Sequence, residues 1–247
     1  MDIKEKISII IITLNEEKTI GRLLSNLKKQ TIQNYEIIVV DSNSEDKTIQ
    51  TAKSYLPSIP ELTIHRMRTR GASLGRNTGA NLAKYEKILF LDSDVQLKEN
   101  FLENLLKQAN KNKIEIGSCY IKLIKFNILQ EIGYGLTNIG FFLTQYFSPT
   151  AVGACILSSK TIHQKINGFD EEIYLCEDCD YVKRASKYGK FKMIPQTFYF
   201  DNRRMEFEGN FKTTLKYLQA NLTRMFFKKE LKKDDCKIEY KFGHYNK

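Results

Sequence analysis

The chain has 247 residues, of which 42% are hydrophobic and 28% charged, a composition typical of a globular protein that excludes wholesale disorder. Its formal net charge of +10 indicates an anionic partner such as nucleotide phosphates, anionic lipid head groups or nucleic acid, although a lysine-rich composition alone would also produce it. The sequence contains no run of about 18 apolar residues, so no membrane-spanning helix is predicted.

The first half of the chain alternates predicted strands with predicted helices. Ile7–Thr13 is apolar and β-branched, which predicts a strand buried on both faces. A helix is expected after it, with Asn15 as its cap and with Glu16 and Glu17 in its first turn. Further strands are predicted at 35–40, 62–66 and 87–91, and further helices from 44 to before Pro57, from the loop at 70–75 through 83, and at 99–109.

The second half is less regular. Residues 114–124 predict an extended pair or one long strand, and apolar residues from Ile128 to Tyr146 recur at helical spacing. A short strand at 153–157 is expected next, and then a helix at 181–188 closed by Gly189. Short strands at 191–194 and 197–200, an amphipathic segment at 210–227 and a lysine-rich tail from 228 complete the prediction.

Two interpretations of the stripe from Ile128 to Tyr146 stay open. It is expected to face the core. The alternative is that this stripe, together with Lys122 and Lys125, touches a membrane surface or a lipid-linked molecule.

Strands that alternate with helices predict an α/β fold with one mainly parallel central sheet flanked by helices. Ligands bind such sheets outside the carboxyl ends of the strands. Three predicted strand ends carry polar residues there, namely Thr13-Leu14-Asn15, Asp41-Ser42-Asn43 and Asp92-Ser93-Asp94. The sequence therefore predicts a ligand site at this edge of the sheet.

Asp92 and Asp94 are the candidate metal ligands. Both carboxylates can reach one hard divalent cation, Mn²⁺ or Mg²⁺, whose other positions go to phosphate oxygens and water. The alternative is that Asp94 caps the next helix. Asp94 is the better candidate for direct ligation, since Asp92 could serve a ribose or a water instead.

Other candidate residues each have a structural alternative. Asp41 can accept a hydrogen bond from a base or close an Asx turn. Arg70 and Arg76, in or after a glycine-containing loop, suit phosphates but could be solvated surface arginines. The adjacent Glu177 and Asp178 repel each other, which favours a raised pKa and a general base, but acids also complement a helix N-terminus.

Five cysteines and the lack of a predicted signal peptide indicate free thiols in a reducing cytoplasm. Cys176 and Cys179 form one Cys-x-x-Cys pair, but no second pair at zinc-site spacing accompanies it. A structural zinc site is therefore not predicted.

At this point the chain resembles the family 2 glycosyltransferases with the GT-A fold. The segments that carry the resemblance occur in the family's order across most of residues 7 to 225: Ile9–Glu16, Glu36–Ser44, Gly75–Gly79, Phe90–Asp94, Gly168–Glu171 and Glu177–Asp180. The resemblance implies an inverting transferase that moves a sugar from a UDP- or GDP-sugar to a hydroxyl of a glycan or lipid-linked acceptor. A role in cell-envelope glycan synthesis, at the inner face of the cell membrane, would fit it.

The resemblance also implies roles for single residues. It makes Asp178 the catalytic base, and Asp94 with Asp92 the metal site. Residues 1–110 would be the nucleotide-binding half, 111–225 the smaller acceptor and catalytic half, and 226–247 a basic tail. The expected nucleotide-sugar site comprises Thr13, Leu14, Asn15, Glu16, Asp41, Ser42, Arg70, Arg76, Asp92, Ser93, Glu177, Arg203 and Arg204.

The chain departs from processive relatives because it has no Trp, and Arg203-Arg204-Met205 does not match their Gln-x-x-Arg-Trp motif. Long processive synthesis is therefore not expected. One alternative is transfer to a lipid phosphate, as in polyprenyl-phosphate sugar synthases, where Asp178 would act electrostatically. A nucleotidyltransferase would need a Gly-rich, Lys-containing loop after the first strand, but this chain has Leu14-Asn15-Glu16-Glu17 there. A non-catalytic basic nucleotide- or lipid-binding protein would not explain the strand-end carboxylates, and no nucleic acid partner is expected.

Overall fold

The computed structural model describes residues 5–124, 128–201 and 231–232. Its main sheet has seven strands in the order β3-β2-β1-β4-β6-β5-β8, beside a two-stranded sheet of β7 and β9. The strands are β1 (Ile7–Thr13), β2 (Tyr35–Asp41), β3 (Leu62–Arg66), β4 (Lys87–Asp92), β5 (Ile116–Leu123), β6 (Cys155–Ser159), β7 (Ile173–Leu175), β8 (Phe191–Phe200) and β9 (Leu231–Lys232). The helices are α1 (Ile20–Lys28), α2 (Thr48–Lys53), α3 (Ala72–Leu82), α4 (Phe101–Asn112), α5 (Ile128–Thr144), α6 (Lys160–Lys165) and α7 (Glu177–Ala185).

The predicted mainly parallel sheet is confirmed. The first four strands of the chain run parallel, and β6 is antiparallel to both β4 and β5. Alternate residues of β1 point to opposite layers: Ile9 and Ile11 pack in one hydrophobic core, and Ile10 packs in the other. Helices cover both faces, which explains why the strand sequences are apolar at nearly every position.

The expected cap at Asn15 is wrong. Asn15 has a left-handed backbone with φ of 55°, and α1 begins only at Ile20, with no acidic residue in its first turn. The backbone N–H groups of Asn15, Glu16 and Glu17 instead donate to side chains of the loop after β2 and of the first residue of α2, which holds this segment out of the helix. The second helix also starts late, at Thr48, whose N–H donates to Asp46 Oδ1 at 2.9 Å.

Two further boundaries in the second half differ from the prediction. The helix expected at 181–188 is α7, which begins at Glu177 and ends at Ala185, so Gly189 does not cap it. Its acidic first turn is favourable because carboxylates complement the helix dipole. The two predicted short strands at 191–194 and 197–200 are one strand, β8. Pro195 and Gln196 bulge out between Ile194, paired with Cys119, and Thr197, paired with Tyr120.

Helix α5 lies against the sheet with polar side chains toward the sheet and its large aliphatic side chains toward solvent. Its inner side carries amide groups: Asn138 bonds both the N–H and the carbonyl of Ile121 at 3.0 and 2.9 Å, and Gln145 just beyond the helix accepts from the N–H of Met193. The large aliphatic side chains of α5 are exposed instead. The expectation that this stripe faces the core is therefore wrong. Strand β6 pairs with β5 only at Gly117 and Ser118, so the far end of β5 has no strand partner on that side among the described residues. The amide of Asn138 supplies hydrogen bonds to the backbone there, which an aliphatic side chain could not do.

Candidate functional site

The three polar strand ends lie side by side, as the sequence predicts. Thr13 at the end of β1 pairs with Asp41 at the end of β2, and Ile12 pairs with Asp92 at the end of β4. The order β2-β1-β4 places these residues along one edge of the sheet. This is the edge at which parallel α/β sheets bind ligands.

Asp41 closes a turn at the end of β2. Its fully buried carboxylate accepts hydrogen bonds from the N–H of Ser44, at 2.9 Å, and from the hydroxyl of Ser44. Arg66 lies 3.8 Å away and also donates to the carbonyl of Ser44. Both bonds reach three residues along the chain, one residue further than in the predicted Asx turn, and they fix the direction in which the carboxylate of Asp41 faces the site.

The loops after β1 and β2 are joined to each other. Asn15 accepts from the N–H of Glu45, and the N–H of Glu16 donates to Thr48. Arg70 pairs with Glu45 at 2.5 Å on the exposed rim of the same loops. Leu14 is buried beneath them.

Two hydroxyl groups at this edge are buried without a hydrogen-bond partner among the described residues. They are Thr13 Oγ1 and Ser42 Oγ, on neighbouring residues across β1 and β2. The N–H of Ser42 donates to the carbonyl of Thr13 at 2.8 Å, so the two side chains belong to one short stretch of the edge. A buried hydroxyl without a partner is costly, and a ligand that bonds it removes that cost.

Asp92 is the last residue of β4, and Asp94 lies in the turn that follows it. Helix α4 begins only at Phe101, with Asn100 before it, so Asp94 does not cap that helix. The carbonyl of Asp94 accepts from Arg22 at 3.0 Å. The described residues contain no group of three or more His, Cys, Asp or Glu side chains that could hold a metal. A cation between these two carboxylates would therefore have to complete its shell with phosphate and water oxygens, as Mg²⁺ does at nucleotide sites.

Arg76 joins the two acidic motifs of the sequence. It is 3% exposed, and its Nη2 lies 2.9 Å from Oδ1 of Asp92 while its Nη1 lies 2.9 Å from Oε1 of Glu177. Burial alone would lower the pKa of Arg76, but the charges of Asp92, Glu177 and Asp178 together raise it. Arg76 is thus not a solvated surface arginine, since both terminal nitrogens are held by carboxylates.

Asp178 lies beside this group in the first turn of α7. Its Oδ2 accepts from the N–H of Gly153 at 2.6 Å, and its Oδ1 accepts from the N–H of Cys179 at 2.7 Å. Burial and then the charge of Glu177 raise the pKa of Asp178 to about 6, against the lowering effect of Arg76 and the two backbone bonds. Burial likewise raises the pKa of Asp92, with Arg76 opposing it. A carboxylate of this kind can accept a proton near neutral pH.

Gly153 is a site residue that sequence reasoning missed. A Cβ atom at this position would lie 2.8 Å from Nη2 of Arg76 and 3.2 Å from Oδ2 of Asp178. Its carbonyl also accepts from Arg76 at 3.3 Å. The sequence signal is faint, because Gly153 looks like an ordinary residue before a short strand.

Not all predicted residues can be placed. Ser93 is buried between the two aspartates. Arg203 and Arg204 lie outside the described residues, as do the amphipathic segment at 210–227 and the basic tail.

The four cysteines in the described chain, Cys119, Cys155, Cys176 and Cys179, are buried free thiols.

The sequence model of the family described as glycosyl transferase family 2 matches residues 8–167. The chain is also similar to the cholesterol galactosyltransferase of Borreliella burgdorferi, with 24% identity over 96% of this chain and 72% of the relative.

Two solved structures share the fold. One is Staphylococcus aureus TarS with UDP, with a TM-score of 0.64 and 22% identity over 79% of this chain. The other is the mannosyltransferase PcManGT of Pyrobaculum calidifontis with GDP-Man and Mn²⁺, with a TM-score of 0.69 and 20% identity over 80% of this chain. The chain spans 60% of the TarS 1-349 chain and 57% of the PcManGT chain in these structures. The expected GT-A fold is confirmed. None of the helices in the described ranges has the length and apolar character needed to cross a lipid bilayer.

Proposed function

The chain belongs to glycosyl transferase family 2, and on that premise we propose that it is an inverting, metal-dependent transferase that moves a sugar from a UDP- or GDP-sugar to a hydroxyl group. One observation carries the proposal. Arg76 holds Asp92 and Glu177 at 2.9 Å each, and Asp178 follows Glu177 directly. The strand end suited to a nucleotide and the carboxylate suited to a base therefore belong to one site.

On the donor side, we assign the nucleoside to the edge formed by Thr13, Asp41 and Ser42. The two hydroxyl groups without partners are donors and acceptors available to a base or ribose. A divalent cation held by Asp94, with Asp92 beside it, would neutralise charge on the departing diphosphate. The donor complexes of the two solved relatives, one with UDP and one with GDP-Man and Mn²⁺, support this assignment. Leu14, Asn15, Glu16, Ser93 and Arg70 belong to the same proposed donor site.

On the acceptor side, we assign the base to Asp178. The acceptor oxygen attacks the anomeric carbon, the bond from that carbon to the diphosphate breaks, and Asp178 takes the hydroxyl proton. The Gly153 and Cys179 N–H groups each occupy one carboxylate oxygen and so fix its orientation. A pKa of about 6 leaves most Asp178 ionised at pH 7 and still able to accept a proton. A lipid phosphate acceptor would need no base, so the raised pKa favours a hydroxyl.

Arg76 takes a different role from the one its sequence position indicates. Both of its terminal nitrogens are held by carboxylates, so we infer that it positions Asp92 and Glu177 rather than contacting the diphosphate. The phosphate-binding role is left to Arg203 and Arg204, which stay predictions. The division into a donor half at 1–110 and an acceptor half at 111–225 is part of the same proposal.

The acceptor is proposed to be a glycan or a lipid-linked molecule. The relative named cholesterol galactosyltransferase supports the lipid option, because the acceptor group of a sterol is a hydroxyl. The four buried free thiols in the described chain fit a reducing compartment. We therefore place the enzyme in the cytoplasm, at the inner face of the cell membrane.

The test is a binding screen followed by turnover. Thermal unfolding is measured with UDP-, GDP- and other nucleotide-sugars, each with and without Mn²⁺. We expect one donor to raise the Tm, and to do so more with Mn²⁺. With that donor, release of nucleoside diphosphate is compared between the wild type and Asp178→Asn, with water or a panel of sugars as acceptor.

Asp178→Asn should bind the donor as the wild type does and lose about 10²-fold or more in turnover. Equal turnover in the two proteins would remove Asp178 as the base. Failure of every nucleotide-sugar to raise the Tm would overturn the proposed donor site. Asp94→Asn should keep the Tm of the free protein but lose the part of the donor effect that depends on Mn²⁺.

A further inference from the structure

The outer face of α5 is an exposed apolar surface without counterpart elsewhere in the described chain. Eight of the eleven exposed large hydrophobic side chains of the described residues lie between positions 128 and 147. Five of them define the outer face, and three aromatic residues continue it at the C-terminal end. They are Ile128, Ile132, Leu136, Ile139 and Leu143, followed by Phe142, Tyr146 and Phe147. A patch of this kind marks an interaction surface.

The orientation of α5 is set by hydrogen bonds and by packing of Tyr134 and Phe141 against the core, and not by burial of the aliphatic stripe. Asn138 and Gln145 attach it to β5 and β8, and Tyr134 packs edge-on against Phe200 with ring centroids 5.3 Å apart. The aliphatic side chains then point outward, where Leu136 is 63% exposed. A helix that turns amides toward the sheet and leaves five aliphatic side chains in solvent presents a surface suited to contact with another apolar surface.

Charge points to the identity of that body. The 34 residues from 126 to 159 contain one charged side chain, Glu131, in a protein whose residues are 28% charged. Glu131 lies 3.7 Å from Lys122, which is 47% exposed on the rim of the face. At the opposite end, Lys192 lies over the ring of Tyr146, 3.9 Å from its centroid. The face is thus apolar in the middle and has a lysine at each end.

This arrangement matches an anionic lipid surface. Apolar side chains enter the boundary between head groups and acyl chains, aromatic rings favour the same level, and lysines meet the lipid phosphates. Two copies of the chain would fit less well. Pairing two outer faces would bring together two rims of net positive charge, since each carries Lys122 and Lys192 against Glu131. We therefore propose that the outer face of α5 docks the protein onto an anionic membrane leaflet.

The docking face is connected to the proposed catalytic site along the chain. The segment after α5 runs to Gly153, whose N–H donates to Asp178 at 2.6 Å. Within this segment, the carbonyl of Ala151 accepts from the thiol of Cys179, next to Asp178. One short segment, from the end of α5 to Gly153, therefore joins the docking face to the proposed base. The docking rests on the proposed location of the enzyme but not on the sugar transfer.

The test is flotation with two kinds of vesicle, one of phosphatidylcholine alone and one containing phosphatidylglycerol. Leu136→Glu places a charge in the middle of the face, and the matched control is Leu56→Glu, at a leucine that is 45% exposed beyond α2. We expect the wild type and the control to float with anionic vesicles. Leu136→Glu should reduce the partition coefficient by about tenfold or more. Added salt should weaken binding of the wild type, because it screens the lysines.

Three results would overturn the proposal. The first is a wild type that stays at the bottom of the gradient with both vesicles, and the second is a Leu136→Glu variant that floats like the control. The third is evidence that other protein already covers this surface. A wild-type dimer that Leu136→Glu converts to a monomer would be such evidence, and so would a Tm that falls in Leu136→Glu but not in the control. Donor binding in buffer is measured on the same samples. If the wild type binds no donor, the proposed transferase activity is overturned, but the flotation result is unaffected.

Discussion

Nη1 of Arg76 lies 2.9 Å from Oε1 of Glu177, although 101 residues separate them in the chain. The pair connects α3 to the first turn of α7, and the same guanidinium also bonds Asp92 at the end of β4. Each of the three groups is at least partly buried, so each charge depends on the others. The geometry of the proposed base is therefore inseparable from that of the proposed metal site.

Removal of Arg76 should lower both the stability of the protein and its turnover. Arg76→Ala leaves two carboxylates facing each other without their cation, at a cost of about 3 kcal/mol. Thermal unfolding should show a Tm about 10 °C below the wild type. Arg76→Lys should also lose turnover, since an ammonium cannot bond both carboxylates in the same plane.

The matched control is Arg70→Ala. Arg70 pairs with Glu45 at 2.5 Å, but its side chain is 39% exposed and that of Glu45 is 78% exposed. Such surface pairs contribute less than about 1 kcal/mol, so the Tm should change little. Equal losses of stability in Arg70→Ala and Arg76→Ala would contradict the importance of the buried bridge.

Gly153→Ala should disable the site with little effect elsewhere. The added methyl would lie 2.8 Å from Arg76 and 3.2 Å from Asp178, so one of these side chains must move. We expect turnover to fall about tenfold or more, because the base loses its orientation. Gly135→Ala is the control, since nothing lies within 4 Å of its Cβ position. That variant should be as active as the wild type, and an active Gly153→Ala would show that the close packing is dispensable.

The pH dependence of turnover should report the raised pKa of Asp178. The carboxylate accepts a proton only when ionised, so kcat/KM should fall as the pH drops below about 6. Burial is the largest cause of the raised pKa, and the charge of Glu177 is the next. Glu177→Gln should therefore move the acid limb of the profile to lower pH. An unchanged limb would mean that another group controls it.

The same pKa predicts a stability effect with a definite sign. Because the pKa of Asp178 is raised in the folded state, the folded protein binds its proton first as the pH falls. Ionised Asp178 thus costs folding stability above about pH 6, and that cost is lost once the group is protonated in both states, below its ordinary value of 3.8. Asp178→Asn leaves the N–H of Gly153 or Cys179 facing an amide NH2 group, a loss that does not depend on pH. The Tm of the wild type relative to this variant should therefore rise as the pH falls from 8 to 4.

The sheet and the strand-end residues could be predicted from the sequence because local patterns determine them. A β-branched run such as Ile7–Thr13 is compatible with little else than a strand covered on both sides. The partner of Arg76 could not be predicted in this way, since Glu177 is distant in the chain. Periodicity likewise identified α5 but not its orientation. The amide of Asn138 and its bonds to Ile121 decided which side faced the sheet.

The unpaired hydroxyls of Thr13 and Ser42 distinguish a ligand site from an ordinary core. In Thr13→Val and Ser42→Ala the Tm of the free protein should stay level or rise, because each removes a buried hydroxyl without a partner. The affinity for the nucleoside diphosphate of the preferred donor, measured by calorimetry, should fall about 3- to 10-fold. Ser8→Ala on the same strand should behave oppositely, since Ser8 donates to Glu36 at 2.7 Å and has no place at the strand end. It should lower the Tm and leave the affinity unchanged. Destabilised Thr13→Val and Ser42→Ala variants with wild-type affinity would assign both hydroxyls to the core.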